Sequence, residues 1–167
     1  MMVRAGCVGQ RRLETVRCHD SGNVLRVQYW LDIIMSRKRG ALIGLALAAI
    51  AAVVIHGPLA SQGRVLLGLF LALTACVYLG ALLAQKQTKT VAAAELAVGA
   101  LVFLCSFLGV ASSVLWLVAG YALHGTWDWV HDMEVVPTRV ARWFPPACAI
   151  FDLAIAGFVL VFLADWQ

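Results

Sequence analysis

Charged residues are scarce in this sequence. Only 13% of its 167 residues are charged and 62% are hydrophobic, whereas soluble domains carry about 25% charged and about 45–50% apolar residues. This composition excludes an ordinary soluble domain and is typical of an integral membrane protein in a lipid bilayer. The net charge of +4 does not indicate a nucleic-acid-binding protein, because the basic residues lie mostly between apolar runs, as topology signals do.

The residues and motifs of several common sites are also missing. The five cysteines include no CxxC pair, which argues against a zinc ribbon or a disulfide framework. Four histidines are too few for the multi-histidine di-iron site of membrane desaturases. The sequence contains no phosphate-binding loop, dinucleotide-binding glycine pattern or nucleophile elbow, so it offers no support for those enzyme classes.

Long apolar runs dominate what remains, and three of the four hold 17 to 20 residues each, enough for one helix across a hydrocarbon core of about 30 Å. The other run, residues 90–123, would reach roughly 50 Å as one helix. It therefore predicts two helices with a turn at "LGVASS" (108–113). The expected fold is all-α, a polytopic membrane protein with five transmembrane helices in one small bundle, spanning about 40–56, 65–84, 90–108, 112–131 and 147–164.

Basic residues predict the orientation of these five spans. With the chain starting inside, only Arg64 falls in an outer segment, and the inner segments hold Arg37, Lys38, Arg39, Lys86, Lys89, Arg139 and Arg142. This distribution follows the positive-inside rule. We therefore expect a multi-pass protein of the bacterial inner (plasma) membrane, with its N-terminus in the cytoplasm and its C-terminus outside.

Residues 1–34 differ from the rest of the chain, since they contain five arginines and show no sustained helical or strand period. Met35 opens a basic segment followed by an apolar one, which is typical of the start of a bacterial inner-membrane protein. We expect residues 1–34 to be a doubtful N-terminal extension, either disordered or a wrongly assigned start. Residues 35–167 form the five-span transmembrane domain.

The predicted fourth span ends in "LHGTWDWVHD" (123–132), an unusual density of ionisable groups. His124, Asp128 and His131 follow one another at i, i+4 and i+7, so they share one helix face. Trp127 and Trp129 point elsewhere, towards lipid or a neighbouring helix. Counted from the outer end, His124 lies near the midplane, and the other two polar residues lie closer to the cytoplasmic surface.

Polar residues from three other spans fall in the same leaflet: Tyr78 in the second, Glu95 in the third and Asp152 in the fifth. Because ionisable groups inside a bilayer are costly, they turn to the bundle interior and pair with one another. We therefore expect four helices to bring these residues together. Further candidates near the cytoplasmic surface are Asp132, close enough to orient the His131 ring, and the interfacial Arg142 and Trp143.

Three functions fit this cluster. His124, Asp128 and His131 can bind a divalent transition metal such as zinc, with Glu95, Asp128 and Asp152 as catalytic carboxylates, in a metal-assisted hydrolase of lipid or amphipathic substrates. The same groups suit a proton or solute carrier in which the cluster is a relay. A hydrogen-bonded network that holds the helices of a non-enzymatic membrane subunit together is the structural alternative.

Two segments, "GYALHGTWDWVHD" (120–132) and "VPTRVARWFPPACAIFDLAIAG" (136–157), resemble an uncharacterised family of small bacterial integral membrane proteins. That family shows H-G-x-W-D-x-x-H-H, then V-P and W-Y-P-x-F-C-x-x-Y-D, with an intramembrane glutamate upstream. The matching residues are Glu95, His124, Gly125, Trp127, Asp128, His131, Pro137, Trp143, Pro145, Cys148 and Asp152.

This resemblance covers roughly residues 78–160 and has three departures. Asp132 stands in place of the second histidine of the pair, and Phe144 and Phe151 stand in place of tyrosines. An aspartate can still bind a metal, but it replaces a stronger nitrogen ligand. The resemblance implies a membrane fold and the importance of these residues, and it implies no particular chemistry.

Overall fold

The computed structural model describes the backbone of residues 14–162 and the side chains of residues 28–162. Helices account for 84% of the structure, and the described residues contain no strand, which confirms the all-α prediction. The elements are α1 (Glu14–His56), a short 3-10 helix (Ala60–Gln62), α2 (Gly63–Ala84), α3 (Lys89–Ala111), α4 (Leu115–Asp132) and α5 (Phe144–Val161).

The chain divides into two units, Met1–Met35 and Ser36–Gln167. Within the first unit, residues from Glu14 onward are helical, where the sequence analysis expected no regular structure. The expectation for residues 1–13 lies outside the described residues, and a true start at Met35 stays a prediction. The second unit contains the remainder of α1 and all the other helices, and the candidate site lies within it.

The turn predicted inside the long third apolar run is present. Helix α3 ends at Ala111 and α4 begins at Leu115, because Ser112 and Ser113 both donate backbone N–H groups to the carbonyl of Leu108. Arg64, at the start of α2, donates its Nε to the carbonyl of Gly109 at 2.6 Å. These bonds satisfy carbonyls that a helix end leaves without partners, and they fix two antiparallel helices where one long helix was excluded.

Four helical segments are long and apolar enough to cross a membrane: Gln28–His56, Ala60–Ala84, Lys89–Ala111 and Phe144–Val161. They indicate a multi-pass membrane protein. The first begins well before the predicted start at residue 40. The structure does not confirm five spans, because α4 is absent from this set; its 18 residues include two histidines and two aspartates, which lower its apolar character.

The outer surface of the four apolar helices agrees with a membrane environment. Large hydrophobic side chains are exposed along them, including Val53 at 72%, Leu73 at 67% and Phe107 at 67%. Exposed apolar surface of this extent is rare on soluble monomers. Lipid tails are the environment in which such side chains carry no penalty.

Helix α4 buries one continuous face at the centre of the second unit. Its buried residues recur every three or four positions: Leu117, Gly120, Tyr121, His124, Gly125, Asp128 and His131. The first three are apolar or small residues, and Tyr121 donates its hydroxyl to the carbonyl of Leu67 on α2. The later positions on the same face are polar, so the helix divides the interior into an apolar half and a polar half.

Two contacts shape the end of the bundle that contains the polar half. Glycine lets α1 approach α5 closely, because a Cβ on Gly44 would overlap the carbonyl oxygen of Ala147. The side chain of Gln85, after α2, bonds both backbone groups of Arg139, donating to its carbonyl at 2.7 Å and accepting from its N–H at 3.0 Å. The loop between α4 and α5 is therefore held against the end of α2.

Candidate functional site

The ionisable residues predicted to meet do lie together inside the second unit. We call them the polar cluster: Tyr78 on α2, Glu95 on α3, His124, Asp128 and His131 on α4, and Asp152 on α5. Every member is buried, and both aspartates have no exposed surface at all. Buried charged groups are costly unless they are paired or bind a cation, so the partners of each one decide what the cluster can do.

The first part of the cluster is the His124 group, which comprises His124, Asp128 and Asp152. His124 Nδ1 lies 2.6 Å from Asp152 Oδ2, in a hydrogen bond between α4 and α5. The same nitrogen lies 3.1 Å from Asp128 Oδ2, one turn along α4. Two carboxylates thus converge on a single imidazole nitrogen.

Three atoms of the His124 group have no hydrogen-bond partner among the described residues: His124 Nε2, Asp128 Oδ2 and Asp152 Oδ1. An unsatisfied buried polar atom costs about 1–3 kcal/mol. Two acids facing one imidazole also need protons or a bound cation to balance their negative charge. Buried N and O atoms without partners, on residues of these types, are the ligand atoms that a metal site uses.

The second part of the cluster pairs Glu95 with His131. His131 Nε2 lies 2.9 Å from Glu95 Oε1, and His131 Nδ1 lies 2.9 Å from the carbonyl of Trp127. A carbonyl can only accept, so Nδ1 bears a proton and the Nε2–Oε1 bond shares one more. The pair is therefore neutral overall, and both ring nitrogens of His131 are occupied.

Trp127 completes this second part by donating its indole Nε1 to Glu95 Oε2 at 3.0 Å. The sequence analysis expected Trp127 to point to lipid or a neighbouring helix; it does reach a neighbouring helix, α3, and its partner there is a member of the cluster. Trp127 precedes His131 by four residues, so the two side chains are neighbours on the helix surface and both reach α3. That spacing was the available signal. Trp129 is 47% exposed, in agreement with its predicted outward position.

Tyr78 joins the two parts of the cluster. Its hydroxyl donates to Asp128 Oδ1 at 2.6 Å, and its ring packs on His131 with centroids 4.0 Å apart. The tyrosine therefore fixes the Asp128 carboxylate while covering the imidazole of the Glu95–His131 pair.

The best metal-ligating set differs from the one that the sequence analysis predicted. The ligand atoms of His124, Asp128 and Asp152 lie within 4.8 Å of one another. His131 does not join them, because seven residues of helix separate it from His124 by about 10 Å along the axis. Asp152, predicted as a catalytic carboxylate, replaces it beside the two remaining predicted ligands.

The other predicted candidates lie outside the polar cluster. Asp132 accepts from the Nε of Arg37 on α1 at 3.0 Å, so it binds α1 and does not orient His131. Arg142 is exposed, and Trp143 is 45% exposed with its ring packed edge-on against Phe144. Arg37 was assigned only a topological role from the sequence, because its partner lies 95 residues away.

These contacts define the chemistry that the cluster can perform. The His124 group offers one nitrogen and two carboxylates, the donor types of catalytic zinc sites. The Glu95–His131 pair lies across Tyr78 from that group and shares a proton that can be moved between its two members. The cluster therefore combines a group that could hold a metal ion with a buried carboxylate–imidazole pair.

Comparison with known proteins gives one result. A model for a family of unknown function, DUF6010, matches residues 39–165. The chain belongs to the DUF6010 family. This confirms the resemblance to an uncharacterised family, and the match includes every residue of the polar cluster. No curated protein and no solved structure matches the chain, so DUF6010 membership supplies a family without an assigned activity.

Proposed function

We propose that this DUF6010 protein crosses the bacterial inner membrane five times, with α4 as the fourth span in addition to the four apolar segments. The support is the position of α4. It connects an apolar helix that ends at Ala111 to another that begins at Phe144, and its buried face packs at the centre of the bundle. A helix with polar residues is tolerated in a membrane when those residues face the bundle interior, as they do here.

The proposed orientation has the N-terminal side of α1 in the cytoplasm and the C-terminal end of α5 outside. Arg37, Lys86 and Arg139 then lie on the cytoplasmic side and Arg64 on the outer side, in agreement with the positive-inside rule. The contact between Gln85 and Arg139 supports this assignment, because it brings the α2–α3 end and the α4–α5 loop to one face. The polar cluster then lies buried within the cytoplasmic half of the bundle.

Within this membrane domain, the proposed activity is metal-assisted hydrolysis of a lipid or amphipathic substrate. The observation that carries it is the His124 group, three buried residues that each offer a ligand atom within 4.8 Å of the others and that each have one buried polar atom without a hydrogen-bond partner among the described residues. A divalent transition metal such as zinc, held by His124, Asp128 and Asp152, would supply Lewis-acid activation of a carbonyl or phosphoryl oxygen.

The remaining residues of the cluster orient the metal-binding carboxylate of Asp128 and supply a proton to the substrate. Tyr78 donates to Asp128 and keeps one carboxylate oxygen oriented, as outer hydrogen bonds to metal-binding residues commonly do. Glu95 and His131 exchange the proton between Oε1 and Nε2, so either can give a proton to a leaving group. Trp127 holds Glu95 in place through the other carboxylate oxygen.

Metal content of the detergent-purified protein tests the assignment of ligands. We expect about one equivalent of a transition metal per chain, lost in His124→Ala and retained in His131→Ala, because His131 already binds Glu95 and Trp127. His56→Ala is the matched control, since His56 is exposed and its ring packs against Phe158 and Phe162, which are not members of the cluster. Metal lost equally from the His131 and His124 variants would contradict this ligand set.

A second candidate function, a non-enzymatic membrane subunit or a proton or solute carrier, is favoured by one observation. Glu95 bonds His131, the His131 ring packs on the ring of Tyr78, and Tyr78 bonds Asp128 of the His124 group. Ionisable chains of this kind serve as proton relays in membranes. A metal-free protein in which Glu95→Gln alters proton uptake by reconstituted vesicles would support the carrier and exclude the hydrolase.

A further inference from the structure

A groove lies beside the polar cluster, between α1, α4 and α5. Its volume is about 250 Å³. Apolar side chains and helix backbone make up most of its walls, contributed by Ala41, Trp129, Pro146, Ala149 and Ile150. Trp129 is half exposed, so its ring borders the groove and the surroundings of the protein. The groove is thus an open, apolar slot.

Charged side chains also line the groove. Arg37 and Lys38 of α1 and Asp132 of α4 also line the groove. Arg37 and Asp132 neutralise each other through the bond at 3.0 Å. Lys38 is exposed and has no hydrogen bond or ion pair to the described residues. One uncompensated cation therefore remains at a slot that is otherwise apolar.

We propose that this groove binds an anionic phospholipid, with an acyl chain along the apolar wall and the phosphate at Lys38. Tryptophan and lysine side chains are typical of headgroup depth in a membrane, and a basic residue at that depth attracts anionic headgroups. A free phosphate ion gains nothing from contact with the apolar walls. A lipid contacts the apolar walls with its acyl chain and Lys38 with its phosphate. A zwitterionic lipid fits the walls but carries no net charge for Lys38.

This inference rests on the proposed membrane placement and not on the metal or the reaction. It assigns α1 a role that the polar cluster does not require, since α1 contributes Lys38, Arg37 and Ala41 to the groove and no residue to the cluster. A lipid bound there would lie next to the helices that hold the His124 group.

Fluorescence of Trp129 reports occupancy of the groove. The full chain is reconstituted in phosphatidylcholine vesicles that contain a small fixed fraction of brominated phosphatidylglycerol or of brominated phosphatidylcholine, since bromine atoms quench nearby tryptophan. The contribution of Trp129 is the difference between the wild type and Trp129→Phe. We expect the brominated phosphatidylglycerol to be preferred by about fivefold, the equivalent of about 1 kcal/mol for one lysine at the membrane surface.

The control separates the groove from general surface charge. Lys38→Gln should abolish the preference for the anionic lipid, whereas Arg39→Gln, which removes the same charge one residue away and outside the groove lining, should retain it. Equal quenching by the two lipids, or equal effects of the two variants, would overturn the proposed lipid site. Absence of quenching for every tryptophan would instead overturn the membrane placement. Unchanged metal content in Lys38→Gln would show that the groove and the metal site of the His124 group are separate.

Discussion

Each buried side chain of the polar cluster is held by a residue from another helix. Asp128 is held by Tyr78, His124 by Asp152 and His131 by Glu95. Side chains on one helix alone could rotate towards solvent or lipid, whereas partners on a second helix fix their direction. The positions of the ligand atoms therefore depend on a small number of hydrogen bonds that single substitutions can remove.

Tyr78→Phe removes the hydroxyl that donates to Asp128 and retains the ring that packs on His131. Asp128 Oδ1 is then buried without a donor, which should cost about 1–3 kcal/mol of stability. Metal affinity should fall by about 10–100-fold, as it does when an outer hydrogen bond to a metal-binding residue is lost. Metal titration and thermal unfolding in detergent measure the two effects.

Tyr121→Phe is the matched control for this substitution. It also removes a buried tyrosine hydroxyl on the bundle interior, but its partner is the carbonyl of Leu67 and not a member of the cluster. We expect a similar loss of stability with unchanged metal affinity. Equal losses of affinity in both variants would show that Tyr78 acts through general stability and does not position Asp128.

The Glu95–His131 pair gives rise to a second prediction, which concerns stability. Removing one partner of a buried pair leaves the other uncompensated and costs about 3–5 kcal/mol. Glu95→Met and His131→Leu should therefore each destabilise strongly, and the double variant should cost clearly less than the sum of the two. Equilibrium unfolding in mixed micelles measures the three values; strict additivity would refute the direct pairing seen between Oε1 and Nε2.

The packing of α4 against α5 is the feature of the helices that matters most for the site. Gly125 permits it, because a Cβ there would lie 3.1 Å from the Cβ of Asp152 and 3.3 Å from the carbonyl oxygen of Ala149. Such spacings are tighter than ordinary van der Waals contact, so α5 would have to move. Asp152 would move with it, away from His124.

Gly125→Ala should therefore weaken metal binding and lower stability by about 1–3 kcal/mol, the usual cost of overpacking. Gly157→Ala on α5 is the matched control, since a Cβ at Gly157 meets no atom within 4 Å. We expect the control to bind metal as the wild type does. Metal titration of both variants is the measurement, and identical affinities would mean that the α4–α5 spacing does not set the position of Asp152.

Most of the helices follow from the sequence, because apolar run lengths and the impossibility of a single helix over residues 90–123 are local properties. The face of α4 that carries His124, Asp128 and His131 follows from helical periodicity. The partner of each residue does not, since the rotations of α3 and α5 about their axes decide whether Glu95 meets His131 or His124. The axial distance between the two histidines was available from the sequence, and it already argued against a shared metal ion.

At the scale of the whole molecule, the proposed topology depends on whether α4 crosses the membrane. If it does, the turn at residues 112–114 and the loop at residues 133–143 lie on opposite sides. In an otherwise cysteine-free variant, Ser113→Cys should react with an impermeant thiol reagent from outside, and Glu134→Cys should react only after the membrane is opened. Labelling of both positions from the same side would show that α4 does not cross.

The central claim is that His124, Asp128 and Asp152 form one metal site, and the most direct test is the metal stoichiometry of the purified full chain beside Asp152→Asn and Asp132→Asn. Both variants replace one acid, but only Asp152 contacts His124, whereas Asp132 binds Arg37. We predict about one equivalent of transition metal in the wild type and in Asp132→Asn, and none in a folded Asp152→Asn. A wild type without metal, or an Asp152→Asn variant that retains a full equivalent, would contradict the account.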